Sequence, residues 1–324
     1  MPINRLIFAA NYFLTMSKLL IVGTVAFDAI ETPFGKTDKV LGGAGTYIGL
    51  SASHFNKVES AVVSVVGGDF PKHYLDMLTA KHIDISAIEI IPNGKTFFWS
   101  GKYHNDLNTR DTLVTELNVL ADFNPKVPKN FLEADIVMLG NLHPLVQLSV
   151  LNQMTKTPKL TVLDTMNFWM NNTWDELMQV IARVDVITIN DEEARQLTGE
   201  HSLLKAARKI MKMGPKYVVI KKGENGALLF YDDQAFFAPA LPLEEVFDPT
   251  GAGDTFAGGF VGYLTQTQDI SFENMKNAVI FGSTLASFCV EKFGTERMES
   301  LTSSEVDTRI EQFKQLTRFE ISLV

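Results

Sequence analysis

The chain has 324 residues, 46% of them hydrophobic and 21% charged, the balance of a soluble globular protein with room for one large or two small domains. Its 38 acidic residues outnumber 29 basic ones, for a formal net charge of -9, and no basic run is longer than a pair, which disfavours a nucleic-acid backbone and favours a small-molecule partner. A single cysteine, Cys289, excludes an internal disulfide framework and fits a reducing cytoplasm, where it reads as a small buried apolar side chain.

The first segment, "RLIFAANYFLTM", has one arginine and a short apolar run, the outline of a weak signal peptide, but no small-residue cleavage site follows. Met16 reads as a natural start, residues 1–15 as a non-structural extension, and 16–324 as a single domain. No apolar run reaches the ~18 residues needed to span a membrane. "LLIVGTV" (19–25), "AVVSVVG" (61–67), "DIVMLG" (135–140), "LTVLDT" (160–165), "DVITIN" (185–190) and "YVVIKKG" (217–223) are continuous apolar runs, the pattern of parallel strands buried on both faces. Between them lie segments of helical period such as "GTYIGLSASHF", "WDELMQVIARV" and "LLKAARKIMKMG", the last stopped by Gly214-Pro215. Alternating strands and helices predict an α/β fold, a doubly wound, mostly parallel sheet with helices on both faces. Two stretches, about 29–41 and 95–118, interrupt the alternation. The second follows hairpin-like runs around Asn93-Gly94 and carries aromatic residues at Phe97, Trp99 and Tyr103; together the two predict a small β lid.

Open α/β sheets bind ligands at the carboxyl ends of their strands. Two Gly-Lys-Thr triplets, at 35–37 and 94–96, lack the earlier glycine of a phosphate loop, and "GAGDTF" has Phe256 where a dinucleotide fingerprint wants Gly or Ala. The six histidines show no zinc-binding spacing. In "VFDPTGAGDTFAGGF" (246–260), Gly251, Ala252 and Gly253 can present successive backbone N–H groups at a helix start, an anion cradle with no lysine in it. Asp254 beside them is poorly suited to bind phosphate and well suited to take a proton from a nucleophile attacking it. A glycine-rich packing loop with Asp254 as a helix cap is the alternative at this level.

"DPTGAGDTFAGGF" resembles the C-terminal signature of the ribokinase-like carbohydrate kinases, the phosphofructokinase B family, whose pattern is D-T-x-G-A-G-D-x-F-x-x-G; Pro249 takes the usual threonine position. The similarity continues in order through Asp28, Gly42-Gly43, "NDEEA", "KKGENGA" and "AVIFGSTLASFCVEKFGTE", across residues 18–300. It implies a ribokinase-like fold and an ATP- and magnesium-dependent kinase. On that resemblance Asp254 is the catalytic base and Gly251, Ala252 and Gly253 the anion hole. Asn190 and Glu193 act on the magnesium-water network, and Lys221, Gly223 and Gly226 form the nucleotide loop. Ser283 and Gly294 line the adenine side, while Asp248 and the Thr250 carbonyl fall where related kinases hold K+. Asp28 is the sugar-binding aspartate, and Gly42 and Gly43 let the substrate rest on backbone.

Tyr47 stands where the family's G-G-x-x-x-N motif has asparagine, exchanging an amide for an aromatic face that a sugar ring or nucleobase can stack on. Met166 and Phe168 replace the polar members of the D-x-N-x-R segment of some keto-sugar kinases. Arg110 reads as a solvated surface charge, with contact to an anionic substrate as the alternative. The expected activity is phosphorylation of an alcohol group on a small sugar or sugar-like substrate. A nucleoside kinase of the same fold is the alternative among enzymes, and a non-catalytic ligand-binding protein the alternative of another class. The family resemblance also allows a homodimer formed through the lids.

Overall fold

The computed structural model describes residues 16–318, so the expected extension over 1–15 lies outside the described residues. The strands in chain order are β1 Ser17–Val22, β2 Ala26–Thr32, β3 Gly35–Lys36, β4 Val40–Gly42, β5 Val58–Gly67, β6 Ile83–Asp84, β7 Ile88–Ile91, β8 Phe98–Tyr103, β9 Arg110–Glu116, β10 Ile136–Leu139, β11 Leu160–Asp164, β12 Val186–Asn190, β13 Tyr217–Lys221, β14 Ala227–Tyr231 and β15 Gln234–Ala238.

The six continuous apolar runs become β1, β5, β10, β11, β12 and β13, in parallel within a ten-stranded sheet ordered β15-β14-β13-β12-β11-β10-β1-β5-β6, with β7 on β5. Alternation explains why they read as continuous. Leu19 and Ile21 feed the core on one face, Leu20 and Val22 that on the other, and all four are fully buried. The antiparallel β14 and β15 close one edge. On one face the helices Ala252–Thr267 and Phe272–Cys289 pack beside the helix Ala44–Ala52. Gly258 permits that approach, since a Cβ there would fall 2.4 Å from the Ile48 carbonyl oxygen.

The lid is a second, five-stranded sheet ordered β3-β2-β8-β9 with β4 on β2. It runs from Ala26 to Gly42 and from Phe98 to Glu116, so its first part starts before the expected 29–41 and includes Asp28. The run around Asn93-Gly94 is not a hairpin: β7 belongs with β5 in the main sheet, while β8 pairs in parallel with β2. The turn is instead the crossover between the two sheets. It is pinned where Asp69 Oδ1 accepts from both the N–H and the hydroxyl of Thr96, at 2.8 and 2.7 Å. Register aligns Asp28 with Trp99 and Tyr103 with Arg110, so these side chains share the lid face turned toward the strand ends.

Candidate active site

The helix Ala252–Thr267 starts at Gly251, whose φ of 74° is left-handed. A Cβ at that position would lie 2.4 Å from Tyr47 Cζ, so glycine is required by both conformation and space. The loop before it is clamped from below. Asp248, fully buried, accepts the Thr250 N–H on Oδ1 and the Gly294 N–H on Oδ2, each at 2.8 Å, and the Thr250 carbonyl accepts from Cys289 Sγ at 3.5 Å. Burial pushes the Cys289 thiol up to about 12, which leaves it an inert donor.

Asp254 lies in the first turn of this helix, where the dipole favours negative charge; of the three expected cradle amides, that of Ala252 already donates to the Pro249 carbonyl at 3.2 Å, so the free donors are those of Gly251 and Gly253. Burial, and after it the nearby Asp164 carboxylate, nevertheless raise it to about 7, against the pull of Lys221 and Arg110. Lys221 ends β13 and pairs with Asp164, at the end of β11, with Nζ 2.7 Å from Oδ2. Burial alone would lower the lysine, and Asp164, with Glu193 and Asp254 behind it, more than offsets this. The ammonium sits 3.1 Å from where a Gly253 Cβ would be. The main-chain cradle thus has a lysine after all, delivered by a strand distant in sequence rather than by the loop itself.

Asn190 and Glu193 form a reciprocal capping box on the helix Asp191–Thr198. Glu193 N–H donates to Asn190 Oδ1 and Asn190 N–H to Glu193 Oε2, both at 2.8 Å. The capping alternative is therefore met. The box holds Glu193 beside Asp164, Lys221 and Arg110, and burial, with Asp164 second, raises it to about 7. Gly223 and Gly226 shape the next loop with φ of 54° and 79°, and a Gly223 Cβ would meet Asn108 Oδ1 of the lid at 2.8 Å. Ser283 lies on the helix Phe272–Cys289. Gly294 clamps Asp248 and packs against Val40 at the lid base, where a Cβ would be 3.1 Å from Val40 Cγ2.

Across the cleft, Asp28 is 5% exposed. Its Oδ2 lies 1.9 Å from the place of a Gly42 Cβ, so that glycine makes room for the carboxylate. Burial raises Asp28 to about 7, opposed by the Gly43 N–H that donates to it and reinforced by Asp248 and Asp254. The same charges name Asp28 and Asp254 as neighbours across one cleft. Tyr47 differs from expectation. At 1% exposure it lies under Gly251 as the floor of the loop, its hydroxyl without a partner, and offers no open face for stacking. The aromatic surface on the lid's inner face is Trp99, the register partner of Asp28, and Gly101 makes room for its ring.

Arg110 is the residue that the sequence reading undervalued. Its strand is exposed along its whole length, yet its guanidinium lies 5.7 Å from the Trp99 ring centre and its charge acts on Tyr103, Asp28, Glu193 and Asp254. Only its pairing with Tyr103 across the lid reveals this, and no local motif carries that signal.

A helix N-terminus lined with backbone donors, a carboxylate poised beside it and a lid carrying a second carboxylate over the strand ends define a phosphotransferase built on an open α/β sheet. Residues 16–301 match the pfkB family carbohydrate kinases, and the chain belongs to that family. It is 35% identical over 260 residues, 76% of this chain and 89% of the relative, to a cytidine kinase of Thermococcus kodakarensis. It is 27% identical over 293 residues, 86% of this chain and 91% of the relative, to a nucleoside kinase of Methanothermobacter thermautotrophicus. The fold is that of solved ribokinase-family structures. The Methanocaldococcus jannaschii nucleoside kinase matches with a TM-score of 0.73 at 21% identity, over 92% of this chain and 99% of that one. The Giardia lamblia ribokinase matches with a TM-score of 0.77 at 17% identity, over 92% and 99%. The chain is thus an ATP-dependent kinase acting on an alcohol group. Among the described residues, no helix is long and apolar enough to cross a membrane.

Proposed function

We propose that this kinase phosphorylates a nucleoside, with Asp254 as general base. The observation that carries the proposal is Asp254 itself, a carboxylate raised to about 7 in the first turn of the helix that Gly251 opens, sharing its cleft with Asp28. The oxygens of Asp28 accept from the sugar hydroxyls, and Gly42 and Gly43 bring backbone against the substrate. Asp254 takes the proton of the acceptor alcohol as its oxygen bonds to the terminal phosphorus of ATP. The bond from that phosphorus to the bridging oxygen breaks, and ADP leaves with the electron pair. The N–H groups of Gly251 and Gly253, joined by that of Ala252 once it leaves the Pro249 carbonyl, meet the charge on the transferred group, while Lys221, Gly223, Gly226 and Ser283 hold the nucleotide.

Two features favour a nucleoside over a free sugar: the cytidine and nucleoside kinases among the relatives, and the flat Trp99 ring beside Asp28 on the lid.

Magnesium would be carried by the nucleotide phosphates, and Glu193 would hold its water shell; no group of three or more His, Cys, Asp or Glu side chains among the described residues could hold a metal ion by itself. Potassium would be held by Asp248 and the Thr250 carbonyl, each of whose oxygens keeps a lone pair beyond the one hydrogen bond it accepts, and no step is routed through it. A cytoplasmic enzyme fits this use of ATP and the single thiol. A lid-to-lid homodimer would cover Leu113 and Val114 on β9, 55% and 40% exposed; light scattering tests it, and a monomeric mass argues against it.

Asp254→Asn tests the base. Turnover is expected to fall by roughly 10²- to 10⁴-fold, the range of a general base, with ATP affinity and fold retained. Near-normal turnover removes Asp254 from the role.

A further inference from the structure

Tyr103 has no part in the reaction just described, yet it is the residue by which the lid holds the anion loop. It ends β8 at 5% exposure, and its Oη accepts from Thr250 Oγ1 at 3.2 Å. Arg110, its partner across the lid, places its charge beside the same phenol. Thr250 immediately precedes Gly251, and its N–H and carbonyl are engaged from below by Asp248 and Cys289. Its hydroxyl faces the lid and is held there. In the turn that joins β8 to β9 just beyond Tyr103, Asn108 lies against Gly223 of the nucleotide loop. The lid thus touches both loops between which a phosphoryl group passes.

We propose that Tyr103 is a positioning residue whose phenol latches the lid to the anion loop, so that the Gly251–Gly253 donors are held in phosphate-binding geometry only when the lid is down. The inference rests on the kinase reading of the same site. Closure would then do two things at once: exclude water, and complete the main-chain anion hole. A donor loop left unsupported spends part of its time misaligned, and small misplacements reduce transfer.

The test uses Tyr103→Phe, Thr250→Val, their combination and Thr250→Ser in the full chain. A neutral hydrogen bond contributes ~1 kcal/mol, so each of the first two is expected to lower kcat about fivefold with little change in the KM for ATP. The double variant falls no further than the singles, because both remove the same bond. Thr250→Ser recovers most of the Thr250→Val loss, and ATP hydrolysis per phosphoryl transferred rises in Tyr103→Phe. Losses that multiply in the double variant, or a Tyr103→Phe enzyme within twofold of wild type, overturn the latch while the kinase reading stands. If wild type phosphorylates no acceptor at all, the kinase reading fails, and the latch is then decided by hydrogen exchange in the MgADP complex. Tyr103→Phe is expected to speed exchange of the 251–253 amides about fivefold with the central sheet unchanged; unchanged loop exchange overturns the latch.

Discussion

Gly251 has no room for a side chain: its φ is 74°, and the Tyr47 ring fills the place of a Cβ. Gly199 shares the backbone problem without the steric one, with φ of 71° and nothing within 4 Å. Comparing the two separates strain from contact. Gly199→Ala is expected to cost about 1 kcal/mol of stability, the low end for a left-handed non-glycine residue, with activity intact. Gly251→Ala is expected to cost more and to abolish most turnover, because the loop must move off Tyr47. Thermal unfolding and kcat check both, and equal, small effects would show that Tyr47 yields easily. Tyr47 also marks what a motif hides. Its replacement of asparagine is visible in the sequence, but the direction of its ring is not, and the ring supports the phosphate loop instead of meeting substrate.

The elements were legible to different degrees for a physical reason. Strands buried on both faces are apolar at most positions, so β1, β5, β10, β11, β12 and β13 announce themselves. The lid obeys no such rule. β9 is exposed throughout, and β2 and β8 pair in parallel from distant parts of the chain, which invited a hairpin reading at Asn93-Gly94. The helix start at Gly251, with Asp254 in its first turn, was legible because a close backbone approach restricts residue types locally. Arg110, and the delivery of Lys221 to Gly253, depend on register between strands and were not. The Asp164–Lys221 pair at the ends of β11 and β13 carries its own prediction. Asp164 raises the Asp254 pKa and Lys221 lowers it. Asp164→Asn should therefore shift the acid limb of the kcat/KM profile to lower pH, by about half a unit or more. A shift to higher pH, or none, contradicts the coupling of the two carboxylates.

Across the whole molecule the site opposes stability. Asp28, Glu193 and Asp254 each stand near 7, above the ordinary carboxylate range of about 4. A carboxylate with a raised folded-state pKa binds its proton more tightly in the native protein. Its burial therefore costs nothing at low pH, and the cost grows as pH rises from about 4 through 7. Asp254→Asn removes that cost, so the variant is expected to melt at a higher temperature than wild type at pH 8, by less at pH 5, and at nearly the same temperature below about pH 4. A difference that shrinks as pH rises would reverse the assigned sign. Such a trade of stability for chemistry is what a site built for proton transfer requires.

The decisive measurement follows the terminal phosphoryl group of labelled ATP, with magnesium and a panel of nucleosides and free sugars, in wild type and Asp254→Asn. The expected result is label on an alcohol oxygen of a nucleoside, with one ADP released per transfer, and a loss of roughly 10²-fold or more in the variant. Label appearing only as free phosphate, or moving equally fast in the variant, would contradict it.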